Sequence, residues 1–590
     1  MKKFHLVASL AGTGLCALSA GNASAQDYQH VAPRDLGTPS PAPIAQPQPP
    51  AAPVVPASAQ NGQVVASLKG LVFVAGVSAF QSNGVAADGV QTSGLAPLAQ
   101  ADFTRKMNDL IGKPLTFAQL RDITEAVLAA YKAQGAPLVR AVVPQQNIDR
   151  GTIQVVVTEF HAGKVSAQGN RWFSDDQVLA PFHISYGDPI FPERMTRALD
   201  EDNANPFRHV ELVYRPSQDP GHTDIVLMTR DRFPFRPYVS FDNSNARVLG
   251  RDRYSVGFNW GRAFGADEIL SYQFSTSSDL FDGHRRSDGT QRVSFMSHSA
   301  YWSAALPWED RLIVFGAYER TRPDIGVGLD LVGKSGQASM RYQHRLPDWG
   351  GIKQTMQAGF DFKTTNNNLD FGGTNVSANR TDVDQFLFEY SASLSDRLGI
   401  WSLDASVFGS PGGLTGNNNN AAFQPALTHS GRFDAKSHYV YARADLDRLT
   451  AFPGGGVLAL KATGQLADGP LLESEQLSLG GAATMRGYEP NSINGDEGYY
   501  VSAELRTPNL PLATSARSYL AIFAEWADLS NKNPGPGEIP KSRAASTGVS
   551  AKLDWQNHVQ LRFDFGVQLK RLPNQAALGQ LGMVTVTFGL

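Results

Sequence analysis

From Pro234 onward, apolar and polar residues alternate one by one through segment after segment. In "NHVQLRFDFGVQLK", residues 557 to 570, the side chains of Val559, Leu561, Phe563, Phe565, Val567 and Leu569 fall on one face. Gln560, Arg562, Asp564, Gln568 and Lys570 fall on the other. A period of two predicts extended strand with two unlike faces. About sixteen such segments can be read between Arg236 and Leu590. The last, "GMVTVTFGL", turns Val584, Val586, Phe588 and Leu590 the same way.

The connections between these segments alternate in length. "AFGA" at 263, "LPWED" at 306, "PDWGG" at 347 and "DRLG" at 396 are short. Between them come long polar stretches: "NNNLDFGGTNVSANRTD" at 366, "SPGGLTGNNNNAAFQPALTHSGRFDA" at 410 and "DLSNKNPGPGEIPKSRA" at 528, all read as floppy loops. One end of the sheet thus bears tight turns and the other long loops, the habit of outer-membrane barrels. In lipid every backbone amide must be paired within the protein, so a sheet can span only if it closes. Residues 232–590 are therefore expected to form an all-β transmembrane barrel of about 16 antiparallel strands. A secreted all-β enzyme or adhesin would also tolerate the alternation of faces, since one face of an antiparallel sheet is often wet.

Residues 67 to 231 follow a different pattern. "KGLVFVAG" reads as a strand, and "PLTFAQLRDITEAVLAAYKAQG" as a helix capped by Thr116 and Gln119 and stopped at Gly135. Phe117, Leu120, Ile123, Val127 and Tyr131 share the face that should pack on a sheet. "LVRAVVPQQ" and "GTIQVVVTEF" supply further strands. A second unit from Lys164 has helices opening at Ser174, with Gln177, and at Pro192, followed by the strands "HVELVYRP" and "TDIVLMTR". Two small α+β domains are expected, over 67–160 and 161–231.

Ahead of them, residues 26–66 are rich in proline and form a semi-rigid linker. Residues 1–25 have Lys2 and Lys3, an apolar run and small residues at Ala23 and Ala25, which is the pattern of a secretory signal peptide. Leu15 is too bulky for lipid attachment at Cys16, the only cysteine, so thiolate metal sites and disulfide frameworks are not expected in the exported chain. The 590 residues contain 10% aromatics and 56 glycines, in keeping with strands and turns. A net charge of -3 gives no basic footprint for nucleic acid. The 12 histidines lack metal-ligand spacing, and neither a phosphate loop nor a nucleophile elbow is present. Neither catalysis nor a cofactor is expected.

One loop remains to be explained. "LGGAATMRGYEP", Leu479 to Pro490, puts Gly480, Gly481, Met485, Arg486, Gly487 and Tyr488 between the eleventh and twelfth strands, inside a connection spanning about 468–496. Together with "GNRWFSDDQVLAPF" and "DIVLMTRDRFPFRPYVSFDNSNARVLGRDRYSVGF", it closely resembles two-partner secretion transporters, the hemolysin activation and secretion protein family, from about Ser67 to Leu590. The resemblance implies that the two small domains are POTRA domains in the periplasm and that the barrel sits in the outer membrane as a monomer. It also implies that the loop folds into the barrel lumen. There its arginine would meet an acidic residue in a strand motif of Phe, any residue, Asp, any residue, Gly. The matching stretch here is "FAEWA": Phe523, Glu525 in place of the aspartate, and Ala527 in place of the glycine, all on the lumen side by alternation.

The implied client is an unfolded exoprotein, a large β-helical adhesin or cytolysin, captured by strand addition to the POTRA domains. It would then pass a lumen kept wet by Glu504, Arg506, Arg562, Asp564 and Lys570. Some members of the resembled family carry an amino-terminal plug helix. Here only "QDYQHVAPRDLG" precedes the proline-rich tract, too short and broken to support one. The alternatives are an outer-membrane protein assembly factor of the same superfamily and a passive porin.

Overall fold

The computed structural model describes residues 31–34 and 62–590, apart from 220, 246, 283–292, 323–328, 372–373, 378–379, 427–428, 513–515, 557, 574 and 576. The expected signal peptide, 1–25, and nearly all of the 26–66 linker lie outside the described residues. The chain divides into two units, Pro41–Arg232 and Met1–Ser40 with Phe233–Leu590.

In the first unit, a four-stranded sheet runs in the order Gly89–Gln91, Gly70–Ala75, Thr152–Glu159, Val139–Val142. The helix Phe117–Ala133 starts at a full capping box: Gln119 donates its amide to the Thr116 hydroxyl at 3.4 Å, and its side chain accepts the Thr116 amide at 2.8 Å. This reciprocal arrangement satisfies two amides that an uncapped helix would leave orphaned. Ile123, Val127 and Tyr131 are buried in the core. Phe117 is half exposed instead of buried, because as the first helical residue it lies outside that core cluster. The sequence pattern also missed the helix Ala101–Asn108, whose apolar signal is only Phe103 and Met107 in a charged segment.

A second core gathers around the sheet His161–Gln168, His222–Asp231, Arg208–Pro216, covered by the helices Asp175–Leu179 and Pro192–Asp202. The stretch "NRWF" is folded over by Asp231, whose carboxylate accepts the amides of Arg171 at 2.9 Å, Trp172 at 2.6 Å and Phe173 at 2.9 Å. Beneath it, Arg208 meets Asp202 at 2.7 Å with both side chains wholly buried, and stacks over Phe173 at 5.0 Å.

The second unit is a closed barrel. Sixteen long strands pair antiparallel, each with the next: Phe235–Asp242, Arg253–Trp260, Glu268–Ser277, Phe295–Ala305, Arg311–Thr321, Leu329–Trp349, Ile352–Phe371, Thr381–Ser395, Gly399–Pro411, His438–Ala451, Val457–Ala467, Glu497–Arg506, Ala516–Ser530, Lys541–Trp555, Val559–Gln568 and Gln580–Gly589. The first and last close the ring, with Tyr238 opposite Gly589 and Asp242 opposite Thr585.

Side-chain polarity is inverted relative to a soluble barrel. Along Ala516–Ser530, Phe523, Glu525 and Ala527 are buried while Ile522, Ala524 and Trp526 are exposed. The outer face shows Val239, Met340, Phe386, Leu520, Ile522 and Phe563, and the inner one buries Ser240, Gln273, Asp361, Gln385, Glu389 and Asp564. An apolar belt of that extent is tolerable only against lipid. No helix among the described residues is long and apolar enough to cross a membrane, so the strands do the crossing.

Two expectations about the long connections are corrected. Asn366 to Asp370 belong to the strand Ile352–Phe371, not to a loop, because they pair with Leu329–Trp349 in a hairpin that runs on past the barrel wall. The described residues of 412–437 are folded rather than floppy. Asn419 caps the helical turn Asn420–Phe423, Phe423 is buried, and the Asn418 amide donates to the carbonyl of Asp382 at 3.1 Å. A third correction concerns Lys570, expected in the lumen. It lies just past the end of Val559–Gln568, where alternation no longer applies, and its ammonium sits 5.2 Å over the outward-facing ring of Trp526.

Candidate functional site

The connection 468–496 leaves the eleventh strand, turns back through the short pair Leu477–Leu479 and Ile493–Gly495, and packs against the inner wall. Its foot is held twice. Lys363 reaches Glu475 at 2.6 Å, and Tyr441 donates to the same carboxylate at 2.8 Å. Asp496 accepts from Arg432 at 2.6 Å and from the amide of Leu471 at 3.0 Å.

At the tip, Arg486 is 4% exposed, which rules out the ordinary surface arginine that an external loop would carry. Its amide donates to Glu525 Oε2 at 2.6 Å and its Nε to Glu525 Oε1 at 3.0 Å. Nη1 reaches Glu504 at 2.6 Å, Ser550 at 2.9 Å and Asp564 at 3.4 Å, and the guanidinium lies 3.5 Å from the centre of the Phe523 ring. Strand register explains the assembly. Glu504 stands opposite Phe523, Ser546 opposite Glu525, and Ser550 opposite Asp564, so alternation delivers all of them to one patch of lumen wall.

A buried guanidinium is costly without partners, and three carboxylates around one cation would be costly in turn. The wall balances the account: Arg506 holds Glu504 at 2.8 Å and Arg562 holds Asp564 at 2.6 Å, giving three arginines to three acids. Glu525 also accepts from Tyr500 and Ser546, each at 3.0 Å.

The other loop residues serve the seat. Tyr488 is completely buried. Its hydroxyl accepts from the amide of Ala545 at 3.2 Å and donates to the carbonyl of Lys570. Met485, Tyr488 and Ala527 share one small apolar cluster with Tyr500 and Leu529. Gly481 and Gly487 both have positive φ, at +91° and +101°, and Gly480, at +122°, donates its amide to Thr484 at 3.1 Å.

Gly487 lies flat on Gly566: a Cβ at 487 would come within 2.9 Å of the Gly566 carbonyl carbon. Gly487→Val should therefore unseat the tip while the barrel still closes, since positive φ at a β-branched residue and the wall contact both oppose it, together at about 1–3 kcal/mol or more. Hydrogen exchange across residues 480–490 is the measurement. Fast exchange of the Arg486 amide is expected, and wild-type protection would contradict the close fit.

Sequence reasoning missed Gly548 and Gly566 as parts of this seat. Each faces a bulky partner across the wall: a Cβ at 548 would lie 2.6 Å from the Phe523 ring, and one at 566 would lie 2.4 Å from the Arg486 carbonyl carbon. The only available signal was a glycine at an inward-facing position of a strand.

The lumen also holds residues 31–34, the described part of the stretch expected to be too short and broken for a plug helix; the rest of that stretch lies outside the described residues. Val31 and Arg34 lie against the first four strands. Arg34 pairs with Asp242 at 2.7 Å and its amide donates to the Tyr238 hydroxyl at 2.8 Å, while the Val31 carbonyl accepts from Ser299 at 2.5 Å. Among the described residues the contacts combine backbone groups, the Arg34 charge and the packing of Ala32 against Ile313 and Phe315.

A lipid-belted barrel that holds its own charged loop, on a chain that also carries two small α+β sheet modules, defines the class of outer-membrane protein-translocation barrels with periplasmic modules. Within that class, the chain belongs to the family described as haemolysin secretion/activation protein ShlB/FhaC/HecB, which matches residues 221–551. Residues 85–159 match the POTRA domain, ShlB-type.

The chain is 21% identical over 429 residues to the heme/hemopexin transporter protein HuxB of Haemophilus influenzae, covering 71% of each. It is 22% identical over 497 residues to the outer membrane transporter CdiB of Escherichia coli O6:K15:H31 (strain 536 / UPEC), covering 81% of this chain and 78% of that one. In fold it is similar to the solved structure of CdiB from Escherichia coli, with a TM-score of 0.70 at 17% identity over 96% of both chains. CdiB from Acinetobacter baumannii gives 0.60 at 17% identity, over 89% of this chain and 90% of that one. The protein is an outer-membrane channel of two-partner secretion, with POTRA domains in the periplasm and a secreted polypeptide as its partner.

Proposed function

We propose that the POTRA domains capture an unfolded exoprotein, a large β-helical adhesin or cytolysin, which then threads the barrel once the loop 468–496 is displaced, and that Arg486 with Glu525 sets the loop's resting position. The carrying observation is that the polar lumen is occupied by the chain's own loop, fixed by a charge network beside a small apolar cluster. Ion pairs can be exchanged partner for partner, and the apolar cluster beside them is small, so such a seat can be left and regained at moderate cost.

Val139–Val142 and Arg208–Pro216 stand at sheet edges, where main-chain pairing accepts many client sequences. The barrel works as a monomer and catalyses no covalent reaction. Folding of the client outside supplies the drive, and no metal, cofactor or nucleic acid takes part. POTRA domains would serve no purpose in a passive porin, and two of them are fewer than an assembly factor typically carries. Deleting the gene and comparing secreted proteins tests the reading. One large exoprotein should vanish from the medium, whereas an unchanged secretome, with outer-membrane composition altered instead, would favour the assembly factor.

A further inference from the structure

Away from the Arg486 network, three of the long connections meet at a single side chain. Arg432, in the connection 412–437, is 7% exposed. Its Nη1 donates to Asp496 at 2.6 Å and to the Leu471 carbonyl at 2.8 Å, both in the connection 468–496. Its Nε and Nη2 fork onto Glu538, in the connection 531–540, at 3.2 and 3.1 Å. All donor-bearing nitrogens of the guanidinium are thus engaged, and by two different loops besides its own.

Around this junction the same loops touch again. Asn533 donates to Asp434 at 2.8 Å, and Gly535 packs so closely that a Cβ there would lie 2.7 Å from that of Phe433. Beneath it, Phe423 and Ala435 from one loop and Leu471 and Leu472 from another form an apolar cluster with Leu387, Phe408, Tyr439 and Tyr441 of the wall. The junction lies at the long-loop end of the barrel, the end opposite the start of the first strand and therefore the exit side.

We infer that Arg432 is the pin of an exit latch: it ties three outer loops into a closed cover that must part before the client can leave. The inference rests on export through this barrel, but not on the role of Arg486. A guanidinium suits the task because its planar fork can hold a carboxylate on each side at once, which an ammonium cannot do with comparable geometry. Releasing it leaves Glu538, already part-exposed, open to water, while Asp496 keeps the Leu471 amide and the Gln476 side chain of its own loop, so the latch can open without unfolding the wall.

Two variants test it. Arg432→Ala, and separately Glu538→Gln, should raise the frequency of open events of the purified full-length channel in planar bilayers several-fold, with Arg432→Lys in between. Because Cys16 is the chain's only cysteine, Phe433→Cys with Gly535→Cys can then be oxidised to lock two of the loops, after easing apart by about 1 Å to reach disulfide geometry. Oxidation should suppress both open events and export, and a reductant should restore both. Unaltered open events in Arg432→Ala and in the fully oxidised pair would overturn the latch. Suppressed open events with undiminished export would overturn the claim that the client leaves by this mouth, while Arg486→Ala would still report separately on the inner seat.

Discussion

Arg486→Ala should abolish most export while leaving the amount of barrel in the outer membrane unchanged. The variant removes the one cation that touches Glu504, Glu525 and Asp564 together. Glu504 keeps Arg506 and Asp564 keeps Arg562, but Glu525 is left with the hydroxyls of Tyr500 and Ser546 and the amide of residue 486. Breaking a buried pair by deleting one partner costs about 3–5 kcal/mol, most of it the penalty on the stranded charge. That is enough to shift the loop from its seat by more than two orders of magnitude in population, yet the strands retain every ladder bond.

Glu525→Gln should be milder, because the amide can still accept from Arg486 and Tyr500. Quantifying secreted exoprotein against folded barrel, read by heat-modifiable mobility on a gel, checks both variants. Normal export from Arg486→Ala would remove the loop from the mechanism.

Asp202→Ala should undo the second POTRA domain. Arg208 and Asp202 are both wholly buried, and the guanidinium is also sandwiched on Phe173, so the variant strands a full charge in an apolar core at about 3–5 kcal/mol. A module of this size has about that much stability to lose. The barrel, with its own hydrogen-bond ladder, should persist. Limited proteolysis of the intact protein in detergent should therefore cut within 161–231 and spare 233–590, with export lost. Resistance equal to wild type would show that the pair contributes little. Replacing both residues at once by leucine and methionine should restore much of the stability, since a packed apolar pair can match a buried ionic one.

Strands and caps were legible because each rests on near-neighbour chemistry. The period of two in Val559–Gln568 and the Thr116–Gln119 and Ser174–Gln177 boxes need nothing beyond their own segments. The position of Arg486 among Glu504, Asp564 and Ser550 was not readable in that way. It depends on the register of four strands at once, and no single stretch encodes that. The length of a polar loop misled for a related reason: Asn366 to Asp370 lack apolar alternation because a hairpin that projects beyond lipid has no greasy side to show. Lys570 failed as a lumen residue because the two-residue rhythm was carried past the strand's last rung.

The ring seam at Phe235–Asp242 and Gln580–Gly589 has a consequence for biogenesis. Ser240 donates to the carbonyl of Val586 across a separation of 346 residues, whereas all fifteen other neighbouring pairs are consecutive along the chain. Hairpins can zip one after another at little entropic cost, but this last joint waits for the strand Gln580–Gly589. Until it arrives, two raw margins are open to any passing strand, so wrong pairing there is the hazard of assembly. Losing the strand Gln580–Gly589 would forfeit the whole cylinder rather than one stave of it.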